Sequence, residues 1–221
     1  MPSLPASFAP TRDAVHVLAE HVLCAARYAA VGRIGLLLAV AGVIMLPFNG
    51  RVVGVRGGEL VDVREVEQQT PITTLRAAGD FFGVVPAAPP LWTPVTRADL
   101  DAVLNVETDG VAALAGWFDF VSEALTTVHS DATATLWPEH FDLAATVNGA
   151  TYGGSPGDTF HPEPYLYAIP PGDPVPDGDA GFWNETFGAS LGHASVTSAA
   201  DAVAFFAEAA GRIAAHANVT S

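Results

Sequence analysis

The chain has no lysine. Its nine basic residues are all arginine, scattered from Arg12 through Arg27, Arg33, Arg51, Arg56, Arg64, Arg76 and Arg97 to Arg212, and they face 24 acids for a formal net charge of −15. Phosphate backbones are held by clustered positive charge, so nucleic acid is excluded as an expected partner, and an anionic membrane surface is disfavoured on the same ground. With a single cysteine, Cys24, no intrachain disulfide can form. Its alanine neighbours in a helical pattern make it a buried, inert thiol. Long apolar runs are also missing. The most apolar segment, Ile34 to Phe48, covers about 15 residues where a bilayer span needs roughly 20, and it is interrupted by Gly35, Gly42 and Pro47. It reads as buried strands, and no membrane partner is expected. Met1 to Pro10 lacks the basic and apolar regions of a secretory signal, so a cytoplasmic location is expected.

What is present is apolar material for a core: half the residues are hydrophobic, and 221 residues suffice for one large domain. Residues 1–10 read as a flexible arm and 11–221 as a single compact domain. Thr11 opens a helix to about Ala30 with Val15, Leu18, Val22 and Ala26 on one face. His16 and Glu20, one turn apart, read as its solvated side. Strands are expected near 33–39, 42–48, 51–56 and 59–65, separated by Ala41-Gly42, Asn49-Gly50 and Gly57-Gly58, of which Asn-Gly is a strong hairpin signal. A short helix to Phe82, a Pro-rich connector from Val85 to Pro94, and an amphipathic helix over 109–128 follow. Further strands are expected near 134–147 and 163–169, then a loop over 170–181, an extended segment over 182–194 and a last helix over 198–217. The fold class is α+β, with antiparallel sheet and helices packed on one face.

Ile72-Thr-Thr-Leu-Arg-Ala-Ala-Gly-Asp-Phe-Phe82 aligns without gaps with Val196-Thr-Ser-Ala-Ala-Asp-Ala-Val-Ala-Phe-Phe206, and strands precede both segments. Related halves, 11–95 and 109–221, are one reading. The other is that capped amphipathic helices look alike.

Chemistry concentrates between Leu136 and Pro170. Alternation along a strand puts His140 with Asp142 on one face, and His161 with Glu163, Tyr165 and Tyr167 on another. Pro162 and Pro164 remove two N–H groups on one side, which places Phe160 to Pro164 at a sheet edge or outside the ladder. The candidate ligand-binding residues are Glu139, His140, Asp142, Asp158, Tyr165 and Trp183, a polar and aromatic set suited to a small-molecule or protein partner. His140, Asp142, His161 and Glu163 form a candidate metal set, because two imidazoles and two carboxylates suit zinc, iron or manganese. No His-Glu-x-x-His or other ligand signature accompanies them, and a surface hairpin explains the same residues without a metal. Gly153-Gly-Ser-Pro-Gly-Asp158 reads as a turn, Pro156-Gly157 fitting its centre. Gly188-Ala-Ser190-Leu-Gly192 matches the nucleophile elbow of serine hydrolases. Asp201 and His216 follow in the right order, but both fall in one helix.

Leu136-Trp-Pro-Glu-His-Phe-Asp-Leu-Ala144, Tyr152-Gly-Gly-Ser-Pro-Gly-Asp158 and His161-Pro-Glu-Pro-Tyr-Leu-Tyr167 resemble the signature of a family of uncharacterised actinobacterial proteins of similar length, and stretches 29–35 and 72–82 are similar too. The resemblance implies a cytoplasmic protein of GC-rich bacteria and brings no activity or catalytic residue. The expected function is a binding or interaction module around residues 136–169, with a metal-dependent enzyme as the alternative and a serine hydrolase behind it.

Overall fold

The computed structural model describes residues 3–36, 43–172 and 180–219. Parts of the expected 33–39 strand, the Ala41-Gly42 turn and the 170–181 loop lie outside them. The α+β class holds: five α-helices accompany two antiparallel sheets. The chain divides into two compact units, where one domain was expected from the sequence. The first comprises 3–117 with 135–141, and the second comprises 118–134 with 142–221 and the first two residues.

In the first unit, α1 (Phe8–Leu18), a π-helical turn (Ala19–Leu23) and α2 (Cys24–Val31) run on as one rod. Its helix begins earlier than the expected arm allows. Ser7 is the N-cap residue and its Oγ bonds Asp109 Oδ1 at 2.6 Å, while Phe8 is buried and Thr11 sits inside the helix. A π turn holds one more residue than an α turn and rotates everything after it. Every residue from Leu18 to Cys24 is consequently buried, Glu20 and His21 included. Glu20, read from the sequence as solvated, is fully enclosed. Its carboxylate accepts from Trp92 Nε1 (2.8 Å), Val95 N (3.0 Å), Thr96 N (2.9 Å) and Thr96 Oγ1 (2.6 Å), fixing the Pro-rich connector to the helix. His16 is half-buried, stacked on Phe141 at 5.0 Å. Cys24 is buried as expected, and burial with Glu139 nearby pushes its thiol up to about 12.

A four-stranded meander follows: β1 (Val43–Phe48), β2 (Arg51–Arg56), β3 (Glu59–Val63) and β4 (Glu67–Pro71). Asn49 and Gly50 close the first hairpin with φ of 47° and 74°, the conformation an Asn-Gly turn supplies. Within it, Arg51 forks onto buried Asp62 (2.8 and 2.6 Å) and reaches Phe82 O at 2.9 Å. α3 (Leu75–Phe82) starts at Thr74, whose hydroxyl caps Ala77 N. β5 (Thr135–Trp137) belongs to this unit, bridged at Leu136 to Leu36.

α4 (Thr108–Val128) begins in the first unit and ends in the second. The second unit then builds its own meander, β6 (Asp142–Val147), β7 (Ala150–Ser155), β8 (Tyr165–Ile169) and β9 (Ala189–Gly192), and closes with α5 (Ala199–Val219). Its first hairpin also turns on Asn-Gly, with Asn148 and Gly149 at φ 52° and 81°. The order helix, four-stranded meander opened by an Asn-Gly hairpin, helix is therefore the same in both units. The aligned Phe82 and Phe206 are both buried.

By length and composition alone, Phe8–Val31 and Thr108–Val128 could each cross a bilayer. In this structure their apolar faces are core: Val15, Leu18 and Val22 in one, Val111, Leu114, Phe118, Val121 and Leu125 in the other.

Candidate functional site

β8 lies inside its sheet, paired with β7 on one side and β9 on the other. Of the two placements expected for Phe160 to Pro164, a sheet edge or chain outside the ladder, the structure shows the second. That segment precedes β8 outside the ladder, where its prolines cost no pairing. On one face of the sheet, Gly154 and Tyr152 meet the helices. A side chain at Gly154 would strike Val121, and Tyr152 packs edge-on to Phe206 at 6.3 Å. The opposite face carries Asp142 and Ala144 from β6, Gly153 and Ser155 from β7, Tyr165 and Tyr167 from β8, and Ser190 from β9, by the observed register.

Small residues on this face make room for large ones. The Tyr167 ring lies across β7 at Gly153, where a Cβ would sit 2.6 Å from the phenol oxygen, and its hydroxyl donates to Asp142 Oδ2 on β6. Tyr165 donates to Asp158 Oδ2 at 2.6 Å. Burial first, then the neighbouring carboxylate, raises both phenol pKa values, so both remain protonated donors at neutral pH.

Asp158 has a second duty. Its Oδ1 accepts from Phe160 N (2.7 Å) and His161 N (3.0 Å), and its own N–H donates to His161 O at 2.7 Å. This pinned turn delivers the His161 ring to Tyr165, centroids 4.7 Å apart, and its Nε2 to Glu185 Oε1 at 2.9 Å. A carboxylate oxygen accepts, so Nε2 is the donor in this contact. Ser190 Oγ donates to the same Glu185 oxygen at 2.8 Å.

Glu185 stands on an equally tight turn, its N–H to Gly188 O (3.0 Å) and Gly188 N–H back to its carbonyl (3.2 Å). Gly188 has φ +152° and room for no Cβ. Asn184 beside it uses both amide atoms on the main chain of Ser190 (2.8 and 3.1 Å), occupying the outer edge of β9 as another strand would. The result is a half-exposed imidazole held from two sides over a buried tyrosine pair, with Phe187 edge-on to Tyr167 at 6.5 Å.

Several expectations are corrected by this geometry. His140 and Asp142 do not share a strand face. Residues 138–141 form a turn in which Phe141 takes φ +53°, leaving His140 exposed and Asp142 buried at the start of β6. Glu163 is exposed in a bend, so of the four residues proposed for a metal only His161 has a carboxylate partner, and it is Glu185. Among the described residues no group of three or more His, Cys, Asp or Glu is placed to hold a metal ion. Glu139 belongs to the first unit with His140, near Cys24. Trp183 packs against Phe182 at 4.9 Å, and Phe182 in turn receives Arg212 at 4.5 Å. Ser190 lies within β9 instead of on a strand-to-helix elbow, and its hydroxyl is committed to Glu185. Asp201 caps α5 through Thr197 and Ser198, so the arrangement of a serine nucleophile activated by histidine is not formed.

Of the candidate ligand-binding residues, the second unit therefore brings Asp142, Asp158 and Tyr165 together with His161. Glu185 and Asn184 were missed. Their signal was Asn-Glu followed by a glycine ahead of a short alternating segment, which is a turn returning onto a strand.

Fold and site define an α+β protein of two antiparallel meanders, one of which bears a polar and aromatic outer face. Comparison with family models, curated proteins and solved structures finds no match to this chain.

Proposed function

We propose that this protein is a small-molecule binding module whose site is the outer face of the second sheet around His161, Glu185, Ser190 and Tyr165. The observation that carries the reading is Glu185 Oε1, which receives both the His161 imidazole and the Ser190 hydroxyl. A carboxylate on one pinned turn, fixed by a donor on a second pinned turn and a donor on β9, orients an imidazole far more tightly than a surface ion pair needs. The groups left for a ligand are the His161 ring and the Glu185 carboxylate at the rim.

The test is an amide-resolved NMR titration of the whole chain with a library of neutral and cationic heteroaromatic fragments. Hits are expected to perturb amides of 158–163 and 184–190 saturably. Glu185→Gln, which keeps the shape of the side chain, should weaken them by about tenfold or more, the worth of one charge-assisted hydrogen bond. Hits scattered over the surface, or unaffected by both Glu185→Gln and His161→Ala, would remove this reading.

A further inference from the structure

The second unit has a further concave surface, lined by other residues. The end of α4, the residues after it and the β6–β7 hairpin border an open groove of about 590 Å³ lined by residues 128–133 and 146–148. That volume is within the roughly 300–1,000 Å³ of small-molecule sites.

The groove is rich in acceptors. Asp131 supplies a carboxylate whose one described side-chain partner is the long 3.5 Å contact from Ser130, and Thr133, Asn148 and Thr146, whose hydroxyl makes only a long 3.5 Å contact with Thr151 Oγ1, add oxygens. α4 ends here, at Val128. The carbonyls of a helix C-terminus carry about half a negative charge, which favours a cation. Opposing charge is absent: the lining has no arginine, and Arg212, the one arginine in the second unit, is engaged with Glu208 and Phe182. His129 does not supply it either. Its ring rests on Tyr152 at 4.7 Å with Nε2 enclosed and without a partner, and burial lowers its pKa, keeping it neutral at pH 7.

An anion is excluded by this field. A divalent metal ion is poorly served, since such sites use several carboxylates at fixed distances and only Asp131 is here. A primary ammonium group needs one carboxylate and two or three neutral oxygens, which is what the lining offers. We propose that this groove binds a small organic ammonium ion, with Asp131 as its counter-charge and Thr146 among its neutral acceptors.

The experiment is a titration of the whole protein with 1,4-diaminobutane at low ionic strength, followed by amide chemical shifts, beside 1,4-butanediol and magnesium chloride. Saturable shifts confined to residues 128–133 and 146–149 are expected with the diamine alone. Asp131→Asn should weaken binding tenfold or more, and Thr146→Val about threefold, with the remaining spectrum unchanged. Shifts that spread over the acidic surface without saturating would overturn the proposal, as would equal binding of the diol or of magnesium, or an unaltered affinity in Asp131→Asn.

Discussion

Glu20→Ala is expected to be among the most damaging single substitutions in the first unit, costing about 3–5 kcal/mol in a chemical denaturation measurement, because several buried donors lose their one acceptor together. The cost lies in the donors left behind. Trp92 Nε1, the N–H groups of Val95 and Thr96, and the Thr96 hydroxyl all end on this one carboxylate. Each unsatisfied buried donor costs on the order of 1–3 kcal/mol, less whatever water recovers. The connector held by these bonds is irregular and Pro-rich, so nothing in its own backbone would keep it in place, and protease cleavage near residues 92–96 should appear in the variant first.

The same carboxylate gives the first unit an acid limit. Burial raises the Glu20 pKa, but the bonds from Thr96, Trp92 and Val95 together outweigh it and hold the group below the ordinary 4.5. A pKa depressed by folding contributes stability above the unfolded value and loses it as pH falls through the folded one. Wild-type stability should therefore drop as pH is lowered below about 4.5, the ordinary glutamate value. Glu20→Gln should be less stable at pH 7 and show a shallower drop. Parallel pH profiles for the two proteins would show that Glu20 is not the titrating anchor.

Glu20 also shows where sequence patterning stops being informative. A 3.6-residue period through Val15, Leu18 and Val22 puts Glu20 on the far side of the helix, with His16. The π turn changes the period for five residues and carries Glu20 and His21 inward, and no residue type announces it. The first hairpin was legible because Asn49-Gly50 imposes a backbone conformation that few other pairs adopt. β4, Glu67-Gln-Gln-Thr-Pro71, was not, because an edge strand facing water needs no apolar face. β7 was hidden by Gly153 and Gly154, which look like loop residues.

At the site, Asp142, Asp158, Tyr165 and His161 were visible as a dense run of polar and aromatic residues. Strand alternation then misplaced His140, because the left-handed Phe141 breaks the strand between it and Asp142. Glu185 and Ser190 stand more than 20 residues from His161 in sequence. Only the return of β9 against β8 brings them to it.

Gly153→Ala is the substitution that should join stability to the site. The glycine lies under the Tyr167 ring, and an added methyl would stand 2.6 Å from Tyr167 Cζ and Oη and 2.6 Å from Leu143 O on the neighbouring strand. The carbonyl belongs to the β6–β7 ladder and cannot retreat without breaking pairing, so the tyrosine has to lift. Lifting it takes the hydroxyl off Asp142, a buried carboxylate, and presses the ring towards Phe187 and Tyr165. Overpacking of this kind costs about 1–3 kcal/mol. Tyr167→Phe, which removes the hydroxyl and keeps the ring over Gly153, should cost about 1–3 kcal/mol, because the buried Asp142 carboxylate loses this donor. In the Gly153→Ala/Tyr167→Ala double variant the clash is gone, so the alanine at 153 should add little to the loss already caused by Tyr167→Ala. If Gly153→Ala is as costly with Tyr167 removed as with it present, the glycine is required by the Leu143 carbonyl alone, and the tyrosine's path across the sheet is not what fixes it.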